Sequence, residues 1–138
     1  MKRILLLIVL GSVFSCKQKI TDADISNLNG YWEIEKVELP DGDKKEYKVN
    51  ETIDFFKIEA NKGFRKKVMP QLDGTYLTND IQEDVTVVLK DGDASLQYKT
   101  TYALWNEEII ELTKDKLVVK NEQEIEYYYK RPAKFSVK

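Results

Sequence analysis

Asp84-Val85-Thr86-Val87-Val88-Leu89-Lys90, Asp91-Gly92-Asp93 and Ala94-Ser95-Leu96-Gln97-Tyr98-Lys99-Thr100-Thr101-Tyr102-Ala103-Leu104-Trp105 run consecutively and decide the fold. Val85, Val87 and Leu89 alternate with Thr86, Val88 and Lys90. Past the Asp-Gly pair, Leu96, Tyr98, Thr100, Tyr102 and Leu104 share one parity, and Ser95, Gln97, Lys99 and Thr101 the other. A period of two puts one set toward a core and one toward water. Asp-Gly between two such runs is a hairpin turn. The stretch therefore predicts two antiparallel strands, 84–90 and 94–105.

The same grammar extends in both directions. Seven further segments read as strands: 31–39, 52–60, 64–69, 75–78, 108–113, 117–120 and 124–131. They are separated by Pro40-Asp41-Gly42, Asn61-Lys62-Gly63, Pro70 to Gly74, Asn79-Asp80, Asn106-Glu107, Lys114-Asp115 and Asn121-Glu122, all turn chemistry. No interval holds a crossover helix, so parallel pairing is excluded. Eight or nine antiparallel strands joined by short turns predict an all-β sandwich or closed barrel. Ile125, Tyr127 and Tyr129 repeat the inward parity. In the first strand Trp32 and Ile34 share a parity that Val37 and Leu39 break, which predicts a bulge near Glu35-Lys36.

With 138 residues and a hydrophobic fraction of 42%, the chain suits one globular domain. It has no histidine and one cysteine, which removes His-dependent triads, Cys/His metal sites and an intrachain disulfide. Residues 1–15 carry Lys2-Arg3, the apolar run Ile4 to Leu10 and a small-residue exit, the layout of a secretory signal. A bilayer span needs ~20 apolar residues, and this run is shorter. Val13-Phe14-Ser15-Cys16 resembles the bacterial lipobox, which implies lipidation at Cys16 and attachment to a membrane. Lys17 after the cysteine implies, by resemblance to sorted lipoproteins, the outer membrane, on its periplasmic or its outer face. Residues 16–27 read as a lipidated cysteine and polar tether, with Thr21 or Asp22 capping one helical turn that turns Ile25 and Leu28 inward. Residues 28–138 form the predicted domain. Without Lys2 and Arg3, the 22 basic residues fall to 20 against 24 acidic ones, a net charge of −4. That balance excludes a nucleic-acid partner, which requires clustered cations. Arg65-Lys66-Lys67 reads as charge guarding a strand edge.

Leu28-Asn29-Gly30-Tyr31-Trp32 resembles the Gly-x-Trp entry of lipocalins, and Tyr127-Tyr128-Tyr129-Lys130-Arg131 resembles the aromatic final strand with its basic residue over the tryptophan. With the lipobox, the chain is similar to lipocalin-like lipoproteins of Gram-negative envelopes. The resemblance implies an up-and-down antiparallel β-barrel in which Gly30, Trp32 and Arg131 are structural: the indole plugs one end, and the guanidinium lies on its face.

Chemistry is sparse. Glu107, Glu108, Glu111, Glu122, Glu124 and Glu126 carry carboxylates but lie in polar or alternating positions, where a solvated face is the ordinary meaning. Asp41–Asp43 and Asp91–Asp93 lack the extended ligand series of a calcium loop. No nucleophile or phosphate-loop motif is present. The sequence thus predicts no enzyme, no metal and no cofactor. Two functional classes stay open. In one, Phe56, Ile58, Tyr98, Tyr102, Tyr127 and Tyr129 line a barrel cavity for a small amphipathic or hydrophobic ligand. In the other, the barrel is filled and the protein is an envelope interaction module, an inhibitor or accessory protein. Neither fixes an oligomeric state.

Overall fold

Tight turns set the meander. Ala60 and Asn61 (φ 50° and 63°) and Asp91 and Gly92 (φ 53° and 83°) put two successive residues in the left-handed region, the geometry that matches the twist of two flanking strands. A computed structural model describes residues 17–133. The signal segment and Cys16 lie outside the described residues. The strands are β1 (Gly30–Glu38), β2 (Lys44–Glu46), β3 (Ile53–Glu59), β4 (Lys62–Pro70), β5 (Tyr76–Thr78), β6 (Glu83–Lys90), β7 (Asp93–Lys99), β8 (Leu104–Leu112), β9 (Lys116–Asn121) and β10 (Glu126–Lys130). Every pairing is antiparallel, and β10 closes on β1. Eight strands form the closed barrel; β2 and β5 are short additions that pair with β1 and β4.

Closure uses the expected bulge. The β1–β10 register slips between Ile34 and Lys36, so Glu35 is the extra residue and the inward parity changes from Trp32 and Ile34 to Val37. One expected strand is corrected. Residues 94–105 do not run straight: Lys99 pairs with Leu104 and the chain reverses over Thr100–Ala103. The Thr100 hydroxyl accepts from the amides of Tyr102 and Ala103 at 3.2 and 3.1 Å, so a side chain makes a turn that carries no Gly, Pro or Asn. The turn expected at Asn106-Glu107 is instead part of β8.

Of residues 16–27, read as a tether from sequence, the described part from Lys17 onward is docked on the barrel together with Leu28. Gln18 bonds the backbone of Leu112 through both amide atoms and donates its own amide to Ile110. Lys17 pairs with Asp93 at 2.9 Å and with Glu108. Ile20 is buried and its amide donates to Gly92. A 3₁₀ turn, Asp22–Leu28, follows Thr21, whose amide and hydroxyl both donate to Asp24. Those bonds hold the Asp24 carboxyl below its usual range. Ile25 and Leu28 point into the barrel and plug the end formed by the β3–β4, β6–β7 and β8–β9 turns. The polar look of the segment hides this because only Ile20, Ile25 and Leu28 need face inward.

At this closed end Trp32 is fully buried and its indole donates to Leu28 at 2.8 Å. The Arg131 guanidinium lies 3.7 Å from the indole centroid and donates to the carbonyls of Tyr31, Asn27 and Lys114. Gly30 has φ 105°, and a Cβ there would meet the guanidinium at 3.3 Å. Asn29 continues the pattern: its side-chain amide bonds both backbone groups of Ile58. Among the described residues no helix is long and apolar enough to cross a membrane. Trp32→Ala is expected to cost ~3–5 kcal/mol, the range for deleting a buried large aromatic, and Arg131→Ala less, both read by urea denaturation followed by circular dichroism. Wild-type stability in Trp32→Ala would refute the plug.

Candidate functional site: the barrel mouth

The other end of the barrel, ringed by the β1–β2, β4–β6, β7–β8 and β9–β10 connections, is built differently. Strand alternation turns Asp54 and Phe56 of β3, Arg65 and Lys67 of β4, Tyr98 of β7, Trp105 and Glu107 of β8, and Tyr127 and Tyr129 of β10 inward. The apolar core fills the interior only from the closed end up to Leu96, Tyr98 and Phe56. Above it stand two adjoining hollows of about 350 and 320 Å³, which share Lys67, Tyr127 and Tyr129 as walls. One is bordered by Trp105 and Glu107, the other by Ile34, Val37 and Asp54.

The floor is charged. Arg65 donates to Glu83 through two bonds, Nε at 3.1 Å and Nη2 at 2.6 Å, while its Nη1 stands 3.8 Å from Glu107. Its guanidinium lies 4.2 Å over the Tyr98 ring, which stacks on Trp105 with centroids 5.3 Å apart. Lys67 reaches to 2.5 Å from Asp54 Oδ1, although not aligned as a hydrogen bond. Asp54 and Glu107 are the buried charged residues among those described. Burial opposes the Arg65 charge, but Tyr98 and the Glu83 pair outweigh it and hold the guanidinium firmly protonated. Burial pushes the Glu107 carboxyl above its ordinary value, with Arg65 pulling the other way. Burial likewise raises the Tyr98 and Tyr129 hydroxyls, helped by Glu107 in both cases and by Asp54 at Tyr129.

Three buried atoms of this floor are paired only outside regular hydrogen-bond geometry: Asp54 Oδ1 with the Lys67 ammonium, and Tyr98 Oη and Glu107 Oε1 with each other. A buried polar atom left with no partner costs about 1–3 kcal/mol, more when charged, and these partners offset part of that cost. Larger depressions of about 600 Å³ lie on the outer faces of β6–β9 and of β1–β10, but their walls are solvated charges of both signs and no buried carboxylate lines them.

The residues expected to line a cavity separate into three groups. Tyr127 and Tyr129 are walls of both hollows, whereas Tyr98 lines neither: it is fully buried beneath Arg65 and Trp105. Phe56 and Ile58 are packed core, not lining: they sit below the charged layer, where the barrel is filled. Tyr102 is corrected outright. It is 97% exposed on the Thr100–Ala103 turn, because the strand that was to carry it inward ends at Lys99. Sequence reading missed Arg65, Glu107, Asp54 and Lys67. The signal was their parity: Arg65 and Lys67 alternate with Lys66, and Glu107 shares the inward parity of Trp105 and Ile109. Cys16 lies outside the described residues, and no group of three potential metal ligands occurs among those described.

The lipocalin-like domain family matches residues 28–119. The chain is a member of that family. It is similar in fold to a lipocalin-like protein from Bacteroides uniformis ATCC 8492, at 14% identity and a TM-score of 0.50, over 77% of this chain and 99% of that one. A second match is an uncharacterized protein from Bacteroides eggerthii DSM 20697, at 17% identity and a TM-score of 0.48, over 76% of this chain and 99% of that one. No curated protein matches.

The raised Glu107 carboxyl sets a pH dependence. Its unfolded value is near 4.5 and its folded value is higher, so the folded state holds the proton more tightly. Stability therefore falls as pH rises from the unfolded value through the folded one, and stays lower above it. Glu107→Gln is expected to match the wild type near about pH 4 and to exceed it near about pH 8, by about 1.4 kcal/mol for each unit of displacement. Thermal melts across that range check this; a variant less stable than wild type at the upper end would show that Glu107 is stabilised as an anion.

Proposed function

We propose that this protein is a lipid-anchored envelope lipoprotein whose barrel mouth binds one small amphipathic ligand. The observation that carries the reading is a pair of adjoining aromatic-walled hollows of about 350 and 320 Å³, each with a buried carboxylate, Glu107 or Asp54, in its wall. A tightly filled barrel has no reason to retain them, whereas a ligand with a polar head and an apolar body satisfies the floor and covers Trp105, Tyr127 and Tyr129. The reading assigns no reaction to the site.

Anchoring rests on the lipobox resemblance at Cys16, and the docked Lys17 adds a geometric consequence. Lys17 is held to Asp93 and Glu108 beside the closed end. A lipid on the preceding residue sets the closed end against the membrane and turns the mouth away from it, toward the aqueous compartment. Replacing Cys16 with Ser is expected to abolish acyl labelling and release the protein from the membrane fraction; unchanged labelling would overturn the anchor.

A second reading has one observation in its favour. Leu72, Ile81, Val49, Tyr102 and Leu104 are exposed on loops and strand ends around the mouth, as an interaction module would show. Ligand binding separates the two. With the soluble mature chain, residues 16–138 carrying Cys16→Ser, a mouth ligand at a hundred times its dissociation constant is expected to stabilise the fold by ~2.7 kcal/mol and to change Trp105 emission. No stabilisation by any amphiphile would leave the interaction module standing.

A further inference from the structure

The mouth floor brings together three carboxylates, Asp54, Glu83 and Glu107, and two cations, Arg65 and Lys67. The cations are engaged. Two of the three Arg65 nitrogens are bonded to Glu83, the third faces Glu107, and Lys67 stands on Asp54. What the floor leaves over is acceptor capacity: Glu107, more than nine-tenths buried and in the wall of the hollow, has as partners only the Tyr98 hydroxyl and, at 3.8 Å, Arg65 Nη1. We propose that the ligand head received here is a hydrogen-bond donor without negative charge, a hydroxyl or an ammonium, and that carboxylate and phosphate heads are rejected. The inference rests on the reading that the mouth binds a ligand at all.

Charge counting supports the choice. With Glu107 ionised the cluster carries one excess negative charge in a site of low dielectric, where a like charge is strongly disfavoured. An ammonium cancels that excess. A hydroxyl donates to Glu107 without adding charge. A carboxylate does neither: to use Arg65 it must displace Glu83 from a bidentate pair. The groups that face Glu107 and set its state are Arg65, Tyr98, Asp54 and Glu83. Tyr127 and Tyr129 complete the ring around it, since both feel its charge. The inward walls beyond them, Ile34, Val37 and Trp105, take an apolar body.

The test compares decylamine, decanol and decanoate, one chain length with three heads, by tryptophan fluorescence and melting temperature on the soluble mature chain with Cys16→Ser, at a pH where carboxylates are ionised. Decylamine or decanol is expected to bind at least tenfold more tightly than decanoate, and the tighter of the two identifies the head as ammonium or hydroxyl. In Glu107→Gln that preference is expected to shrink to within threefold, which separates the charge effect from the ordinary cost of burying a carboxylate. Decanoate binding as tightly as the others, or an unchanged ratio in Glu107→Gln, overturns the head-group inference while leaving a binding mouth. Binding by none of the three overturns the mouth reading and this inference together.

Discussion

Everything in this structure depends on the pairing that closes β10 onto β1. β1 must satisfy three neighbours: β3 along Gly30–Trp32, β2 along Lys36–Glu38, and β10 from Glu33 to Glu38. A straight strand cannot do this and keep its apolar side chains inside, because a barrel wall curves away from it. The extra residue at Glu35 supplies the bend and reverses the parity, so Trp32, Ile34 and Val37 all stay inward. Closure removes the two long open edges an eight-stranded sheet would have, and leaves only β2 and β5 as short ones.

Closing the barrel also divides its interior. Leu28 and Trp32 occupy the narrowing end, and Arg131 spans that end by reaching three carbonyls on three separate segments. A guanidinium suits this role because its donors are fixed in a fork and its face tolerates an indole. Desolvation presses the Arg131 charge downward, yet bonds to those carbonyls keep it useful there. The opposite end holds a different Arg, Arg65, whose face lies on Tyr98 and whose edge is locked by Glu83. The two arginines mark the two halves of one interior: one seals an apolar plug, the other organises a charged floor.

Much of this was legible in the residues. Period-two alternation and Asp-Gly turns gave the strand content, the parity break in 31–39 gave the bulge, and the Gly30-x-Trp32 and Arg131 pair gave the closed end. Two features were not. The Thr100–Ala103 turn is made by a hydroxyl bonding the backbone, and its residues continue the alternation of the strand before it, so periodicity ran straight through and carried Tyr102 with it. The charged floor was hidden for a related reason. A carboxylate or guanidinium at an inward position looks like an error in a buried pattern until its partners on other strands are known. Arg65 meets Glu83 through the β4–β6 register and Glu107 only across the barrel. Local sequence holds no trace of that meeting.

The buried charges make sense only against the stability supplied elsewhere. A barrel of this size has a small core, and buried, imperfectly paired carboxylates at its mouth weaken it. The docked segment 17–28 offsets this at the far end, adding Ile20, Ile25 and Leu28 to the core and satisfying β8 backbone groups through Gln18. It is separated from the floor by the Leu96–Phe56 layer, so the contributions at the two ends act independently to a first approximation. A chain that plugs one end with its own N-terminal segment can leave the other end imperfectly satisfied. The polar strain at the mouth is then available to be relieved by whatever binds there, and relief of an existing penalty discriminates between head groups more sharply than apolar contact does.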